Sequence, residues 1–262
     1  MTRIVGHFLN TLRITTRNIM PGGTKQKILL AFDFDHSVID DNSDLYIKKL
    51  APNGEIPAEI KSMYSSYGWN EFMGAIFKYL HDKKVSQNQI LECMKEIPFI
   101  DGMPLLLEYL KQDRFESIII SDSNSVFIDC ILKNAQYLDV FSKVYTNPAW
   151  FDEEDCLRLG PYHTQDWCDL STVNLCKGHI LDAHIKESRD KGTEYSMIAY
   201  VGDGSNDLCP SLRLRPQDLV FPRKGYSLIK KISALESGAL KAKVIPWSSG
   251  HDILAALKAH SA

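Results

Sequence analysis

The segment Ala31-Phe32-Asp33-Phe34-Asp35-His36-Ser37 ends an apolar run with two carboxylates spaced two residues apart. Side chains at that spacing share one side of an extended chain, so Asp33 and Asp35 are expected to converge there. Two like charges held together need a cation, and a hard divalent ion takes carboxylate oxygens. A second acidic loop, Gly202-Asp203-Gly204-Ser205-Asn206-Asp207, follows the apolar run Met197 to Val201, and its glycines permit a tight turn close to a ligand. An Asp-x-Asp-x-Ser/Thr string arises by chance in roughly one chain of this size in ten, a Gly-Asp-Gly-x-x-Asp string in about one in a few hundred. Their co-occurrence points to one acidic, cation-dependent centre. Two further residues join it only as part of the ensemble. Ser121 ends the run Ser117 to Ile120 where a helix follows; its default role is a helix cap, but its hydroxyl and the neighbouring N–H groups also suit an anion. Lys177 heads a helical stretch 26 positions before Asp203, a setting in which a lone lysine is normally a solvated charge.

These residues need a scaffold that brings strand ends together. Strand-like runs cover Ile28 to Phe34, Ser117 to Ser121, Lys143 to Thr146, Met197 to Val201, Asp218 to Phe221 and Ala242 to Trp247, mostly apolar throughout, as in strands buried on both faces. Helical patterns alternate with them at Pro104 to Lys111, Val126 to Asn134, Lys177 to Ser188, Ser227 to Glu236 and His251 to His260. The alternation predicts an α/β fold, a doubly wound, mostly parallel sheet whose chemistry sits at the carboxyl ends of the strands. Residues 44–100 break the pattern. Phe72, Met73, Ile76, Phe77 and Leu80 trace an apolar helical stripe, which reads as packing, so this stretch is expected to be a small helical cap inserted after the first strand. The α/β core is then 27–43 and 101–262, with 1–26 a loose N-terminal extension.

The chain has 262 residues, 44% of them hydrophobic and 24% charged, which suits an ordinary folded domain and excludes coiled coil or global disorder. Its formal charge of -3 provides no uniform positive field for nucleic acid. No apolar run reaches the roughly 18 residues of a membrane span, and six scattered cysteines are no disulfide framework. A cytoplasmic location is expected. The alternative is mitochondrial, because the first 27 residues hold Arg3, Arg13, Arg17, Lys25 and Lys27 and no acid.

Together, DFDHS, IIISDS, the Lys177 helix and GDGSND resemble the four motifs of the haloacid dehalogenase superfamily, in order, over nearly all of residues 28 to 221. The helical insert resembles that superfamily's C1-type cap. More closely, IDDNSD, FKYL, SDSNSVFID, YHT, NLCK, GDGSNDLCP, FPRKGY and WSSG, spread from about residue 28 to 252, resemble the PHOSPHO family, which includes phosphoethanolamine/phosphocholine and pyridoxal 5'-phosphate phosphatases. The resemblance implies a Mg²⁺-dependent phosphomonoesterase acting on a small phosphorylated metabolite. It implies Asp33 as nucleophile, through an aspartyl-phosphate, and Asp35 as general acid and base. It implies Mg²⁺ held by Asp33, Asp203 and the Asp35 carbonyl, with Asn206 and Asp207 orienting that shell. Ser121, Lys177 and Ser37, which stands where the superfamily usually has threonine, would bind phosphoryl oxygens. Asp44 and Asp122 match acidic positions that would face a cationic headgroup, with Tyr67 or Trp69 in cation-π contact. SDSNSVFID and WSSG look nearer the pyridoxal-phosphate relatives, in which the same aromatics would stack on the pyridine ring.

His163, Cys168, Cys176 and His179 place four nitrogen and sulfur donors within seventeen positions. They lack the paired Cys-x-x-Cys spacing of structural zinc sites, so unligated side chains are the expected outcome. The rivals to a phosphatase are a phosphomutase sharing the aspartyl-phosphate and a phosphate-binding protein without turnover.

Overall fold

The computed structural model describes residues 25–260, so residues 1–24 of the expected N-terminal extension lie outside the described residues, as does the Tyr67 side chain, whereas Lys25 and Gln26, expected to be part of that extension, belong to the first strand. The chain runs β1 (Lys25–Phe32), a helical insert with α1 (Ser43–Tyr46), α2 (Ala58–Tyr67), α3 (Trp69–Asp82) and α4 (Gln87–Lys95), then α5 (Met103–Leu110), β2 (Phe115–Asn124), α6 (Ser125–Asn134) and β3 (Phe141–Asn147). A short hairpin, β4 (Ala149–Phe151) and β5 (Leu157–Leu159), leads through a long loop to α7 (Lys177–Asp190), β6 (Thr193–Gly202), α8 (Leu208–Ser211), β7 (Leu219–Pro222), α9 (Ser227–Ser233), β8 (Lys243–Val244) and α10 (Gly250–His260). Six strands form one parallel sheet in the order β3-β2-β1-β6-β7-β8, so the α/β doubly wound expectation holds.

The alternation of β1 explains why a nearly all-apolar strand is needed. Ile28, Leu30 and Phe32 enter one buried cluster, while Leu29 and Ala31 enter another with Ile118, Ile120, Ile180 and Leu181 on the opposite face. The first cluster continues without a break into the insert. Phe72, Met73, Ile76, Phe77 and Leu80 are all buried, and Phe77 meets Phe127 of α6 edge-on at 5.7 Å. The helical stripe is therefore packing, and it secures the insert against the sheet layer.

Two strand ends and one hairpin depart most from expectation. β1 stops at Phe32, because the Phe34 N–H donates to the Asp33 carboxylate and the Phe34 carbonyl accepts from Ser37, Val38 and Ile39 in a tight turn. β8 covers two residues rather than six, with only an isolated bridge from Arg223 to Trp247 beyond it. The β4–β5 hairpin has no counterpart among the expected elements; Asp152 builds its turn by accepting from the Glu154 and Cys156 N–H groups and from Arg158 Nε.

Both linkers of the insert are moored to the C-terminal part of the chain. Arg223 donates to the His36 carbonyl at 2.9 Å and to Asp40 at 2.6 Å. Gly102, at φ +72°, lies against Gly250 so closely that a Cβ on Gly250 would meet the Gly102 carbonyl oxygen at 2.4 Å, and the Gly250 N–H donates to the Asp101 carbonyl.

Candidate active site

Parallel strands that end side by side deliver their following loops to one edge, and the sequence-predicted residues meet there. Asp33 follows β1, Ser121 and Asp122 stand near the end of β2, Asp203 follows β6, and Lys177 opens α7. Asp33, Asp35, Asp44, Ser121, Asp122, Asp203 and Asn206 line one polar cavity of about 160 Å³. Asp33 and Asp35 reach it from a turn, not from an extended strand as the spacing suggested.

Lys177 is the organising cation. It is fully buried, with Nζ 2.8 Å from Asp33 Oδ2 and 2.7 Å from Asp207 Oδ1. Burial works against its charge, but Asp207 and Asp33 together hold it well above the ordinary lysine range. It is no solvated surface charge.

Asp207 is saturated. Its Oδ1 also accepts from the Tyr200 hydroxyl at 2.7 Å, and its Oδ2 accepts from the Asp203 and Gly204 N–H groups at 2.9 and 2.8 Å. These bonds fold the loop so that Asp203 faces Asp33. They also change the reading of the motif's glycines. A Cβ on Gly202 would lie 2.5 Å from the Asp207 carboxylate, so that glycine makes room for a side chain of its own loop rather than for a ligand.

The acids carry the electrostatic signature of a cation site. Burial pushes Asp33 up to about 7, with Lys177 opposing it. Burial likewise pushes Asp203 up to about 8, and the charges of Asp33 and Asp207 add to the rise. Single oxygens of Asp33, Asp203 and Asp207 lie within 4.8 Å of one another. With Asp207 taken by its own donors, the buried carboxylates of Asp33 and Asp203 are the hard oxygen donors that fit Mg²⁺. Asp35 is raised furthest in kind: burial, then the neighbouring Asp44, lift it well above the carboxylate range, while the Ser43 N–H donates to its Oδ1 at 3.0 Å.

Several expected roles are redistributed. Ser37 is completely buried and lies off the cavity wall, with its hydroxyl facing Asp203 Oδ1 at 3.5 Å. Ser121 does line the cavity, yet its Oγ accepts from the Ser123 N–H, and α6 begins only at Ser125. The helix cap is Asn124, whose side chain accepts from the Phe127 N–H at 3.1 Å. Asn206 donates to Asp122 rather than to Asp203.

Asp44 and Asp122 stand at the cavity wall with their oxygens engaged. Asp44 accepts from Trp69 Nε1 at 2.8 Å and from Asn124 Nδ2 at 3.1 Å, and burial lifts it to about 7. Asp122 accepts from Thr172 Oγ1, Asn174 Nδ2 and Asn206 Nδ2. Trp69, Asp122 and Asn206 also line a second, larger cavity of about 620 Å³ that includes Tyr64, Val173 and Asn174. Sequence reasoning missed Tyr64, Thr172, Asn174 and Tyr200. Only Tyr200 had a signal, a phenol in the strand that feeds the acidic loop. His163 Nε2 accepts from the Cys176 N–H, and His163 and His179 pack against each other and Trp167.

A family model described as "Putative Phosphatase" matches residues 28–260. The pyridoxal phosphate phosphatase PHOSPHO2 of Homo sapiens is 43% identical over 236 residues, covering 88% of this chain and 98% of that protein. The chain belongs to the PHOSPHO family of phosphatases. A phosphoethanolamine/phosphocholine phosphatase of Gallus gallus is 35% identical over 239 residues, covering 89% of each chain. A crystal structure of apo phosphoserine phosphatase superimposes with a TM-score of 0.56 at 16% identity, over 87% of this chain and 98% of that one, so the two share a fold. Membership decides against the mutase and the inert binding protein. No helix among the described residues is long and apolar enough to cross a membrane.

Proposed function

We propose that this phosphatase hydrolyses a small monoester with a flat, ring-sized alcohol, of the pyridoxal 5'-phosphate type, through an aspartyl-phosphate at Asp33. The carrying observation is a pair of adjacent cavities that share Trp69, Asp122 and Asn206 in their walls: a polar one at Asp33 for the phosphoryl group and a larger one with Tyr64 and Val173. Asp44 and Asp122 already have hydrogen-bond donors and are poorly placed to take an ammonium group as well. The greater identity to the pyridoxal phosphate phosphatase supports the same choice.

Asp33, oriented by Lys177 and the Phe34 N–H, attacks phosphorus as the ester P–O bond breaks. Asp35, whose protonated form is favoured by burial and by the neighbouring Asp44, gives its proton to the leaving oxygen. Its carboxylate then takes a proton from the water that attacks the aspartyl-phosphate, releasing phosphate and restoring Asp33. Lys177 stabilises charge on the transferring group, and Ser121 lines its path. Mg²⁺ would be held by Asp33, Asp203 and the Asp35 carbonyl, where it would offset negative charge. Residues 44–100 act as a cap that walls the larger cavity. The test is kcat/KM for pyridoxal phosphate, phosphocholine and phosphoethanolamine side by side with Mg²⁺. Pyridoxal phosphate is expected to lead; a lead by either amine ester overturns the assignment.

A further inference from the structure

Behind the acidic cluster, three thiols from separate segments converge. Cys168 comes from the loop before α7, Cys176 is the residue that caps α7, and Cys209 lies in α8. Cys209 Sγ is 3.4 Å from Cys168 Sγ and 3.9 Å from Cys176 Sγ, and all three sulfurs fall within 4.8 Å of one another. Ser171 Oγ sits beside two of them, 3.3 Å from Cys176 Sγ and 3.5 Å from Cys168 Sγ. Four thiolates on tetrahedral zinc lie about 3.8 Å apart, given a Zn–S bond of about 2.3 Å. The spacing here straddles that value.

We propose that Cys168, Cys176 and Cys209 form a binding site for a thiophilic cation of the Zn²⁺ class, with Ser171 Oγ or water completing four-coordination. Each thiol gives up its proton to solvent on coordination. Neither histidine of the sequence-level tetrad takes part: His163 is held by the Cys176 N–H, and Cys209, 30 positions beyond His179, takes the place in the cluster. The site is chemically distinct from the hard oxygen cluster at Asp33 and Asp203, since sulfur selects soft metals. Cys168 is partly exposed whereas the other two are buried, so an ion enters from its side. Cys176 directly precedes Lys177, and Cys209 follows Asp207 by two residues. A bound ion would therefore fasten both partners of the central ion pair.

The probe is Co²⁺, whose thiolate complexes absorb in the near ultraviolet while its carboxylate complexes do not. Tag-free full-length protein, reduced with a phosphine and stripped of metal, is titrated with Co²⁺ and then Zn²⁺. One equivalent of Co²⁺ per chain is expected to raise a thiolate charge-transfer band that Zn²⁺ abolishes. Cys168→Ser, at the partly exposed position, is expected to weaken Zn²⁺ against a chromogenic chelator by at least roughly tenfold, whereas Cys93→Ser, remote from the cluster, leaves it unchanged. Absence of the band from fully reduced wild type overturns the proposal. So does a band of undiminished strength in Cys168→Ser. A folded Cys168→Ser chain, checked by circular dichroism, keeps the test valid if the buried-cysteine variants fail to fold.

Discussion

At the floor of the cleft, Asp33 from the turn after β1 and Asp207 from the loop after β6 are both held by Lys177 at the start of α7 through short, buried bonds. At its mouth, Trp69 comes from the insert, Asp122 from the end of β2, and Thr172 and Asn174 from the long loop before α7. The floor is specified by charge, where one misplaced carboxylate leaves a buried ion without a partner. The mouth is specified by shape and hydrogen bonds that can be re-spaced without exposing an orphan charge. The difference teaches that reaction class and substrate choice are separable in this molecule.

Breaking the floor is expected to have the largest consequence. Asp33→Asn removes the attacking oxygen and is expected to lower kcat by at least about 10⁴-fold in a phosphate-release assay. Because burial disfavours the Asp33 charge, the same variant is expected to melt no lower than wild type at pH 8 without Mg²⁺. Gly202→Ala attacks the floor indirectly. The new methyl would strike a carboxylate fixed by four donors, at a cost of roughly 1–3 kcal/mol in urea unfolding, and kcat falls as Asp203 is displaced. At the mouth, Trp69→Phe keeps a ring but removes the Nε1 donor to Asp44; roughly a tenfold rise in KM for pyridoxal phosphate is expected, with little change for a generic aryl phosphate.

The last expectation concerns stability against pH. Asp33 and Asp203 are protonated in the fold up to about 7 and about 8, against 3.8 in the unfolded chain. Between those values the folded state binds more protons, so stability falls as pH rises from about 4 to about 8. Mg²⁺ reverses the penalty, so the melting-temperature gain on adding it is expected to be greater at pH 8 than at pH 5. Equal gains would place the ion elsewhere.

The floor was legible because its chemistry fixes residue types: two acids after a strand, a lysine at a helix start, and an Asp-rich loop with glycines. What spacing misjudged was local. It made Asp33 and Asp35 neighbours on a strand that ends at Phe32 and gave Gly202 to a ligand when Asp207 needs the space. The mouth was mostly illegible. Thr172 and Asn174 sit in a loop with no periodicity, and each meets Asp122, about fifty positions away in sequence. The hairpin was missed because three-residue strands of Ala149–Phe151 and Leu157–Leu159 carry too little alternation to stand out.

The two moorings of the insert, Arg223 on Asp40 and Gly250 on Gly102, give the tail of the chain leverage over the entrance. Any outward swing of residues 44–100 must strain one knot or slip the other. A side chain added at position 250, remote from every acid that handles phosphate, would wedge the gateway's frame and change how fast product escapes while leaving the bond-breaking step alone.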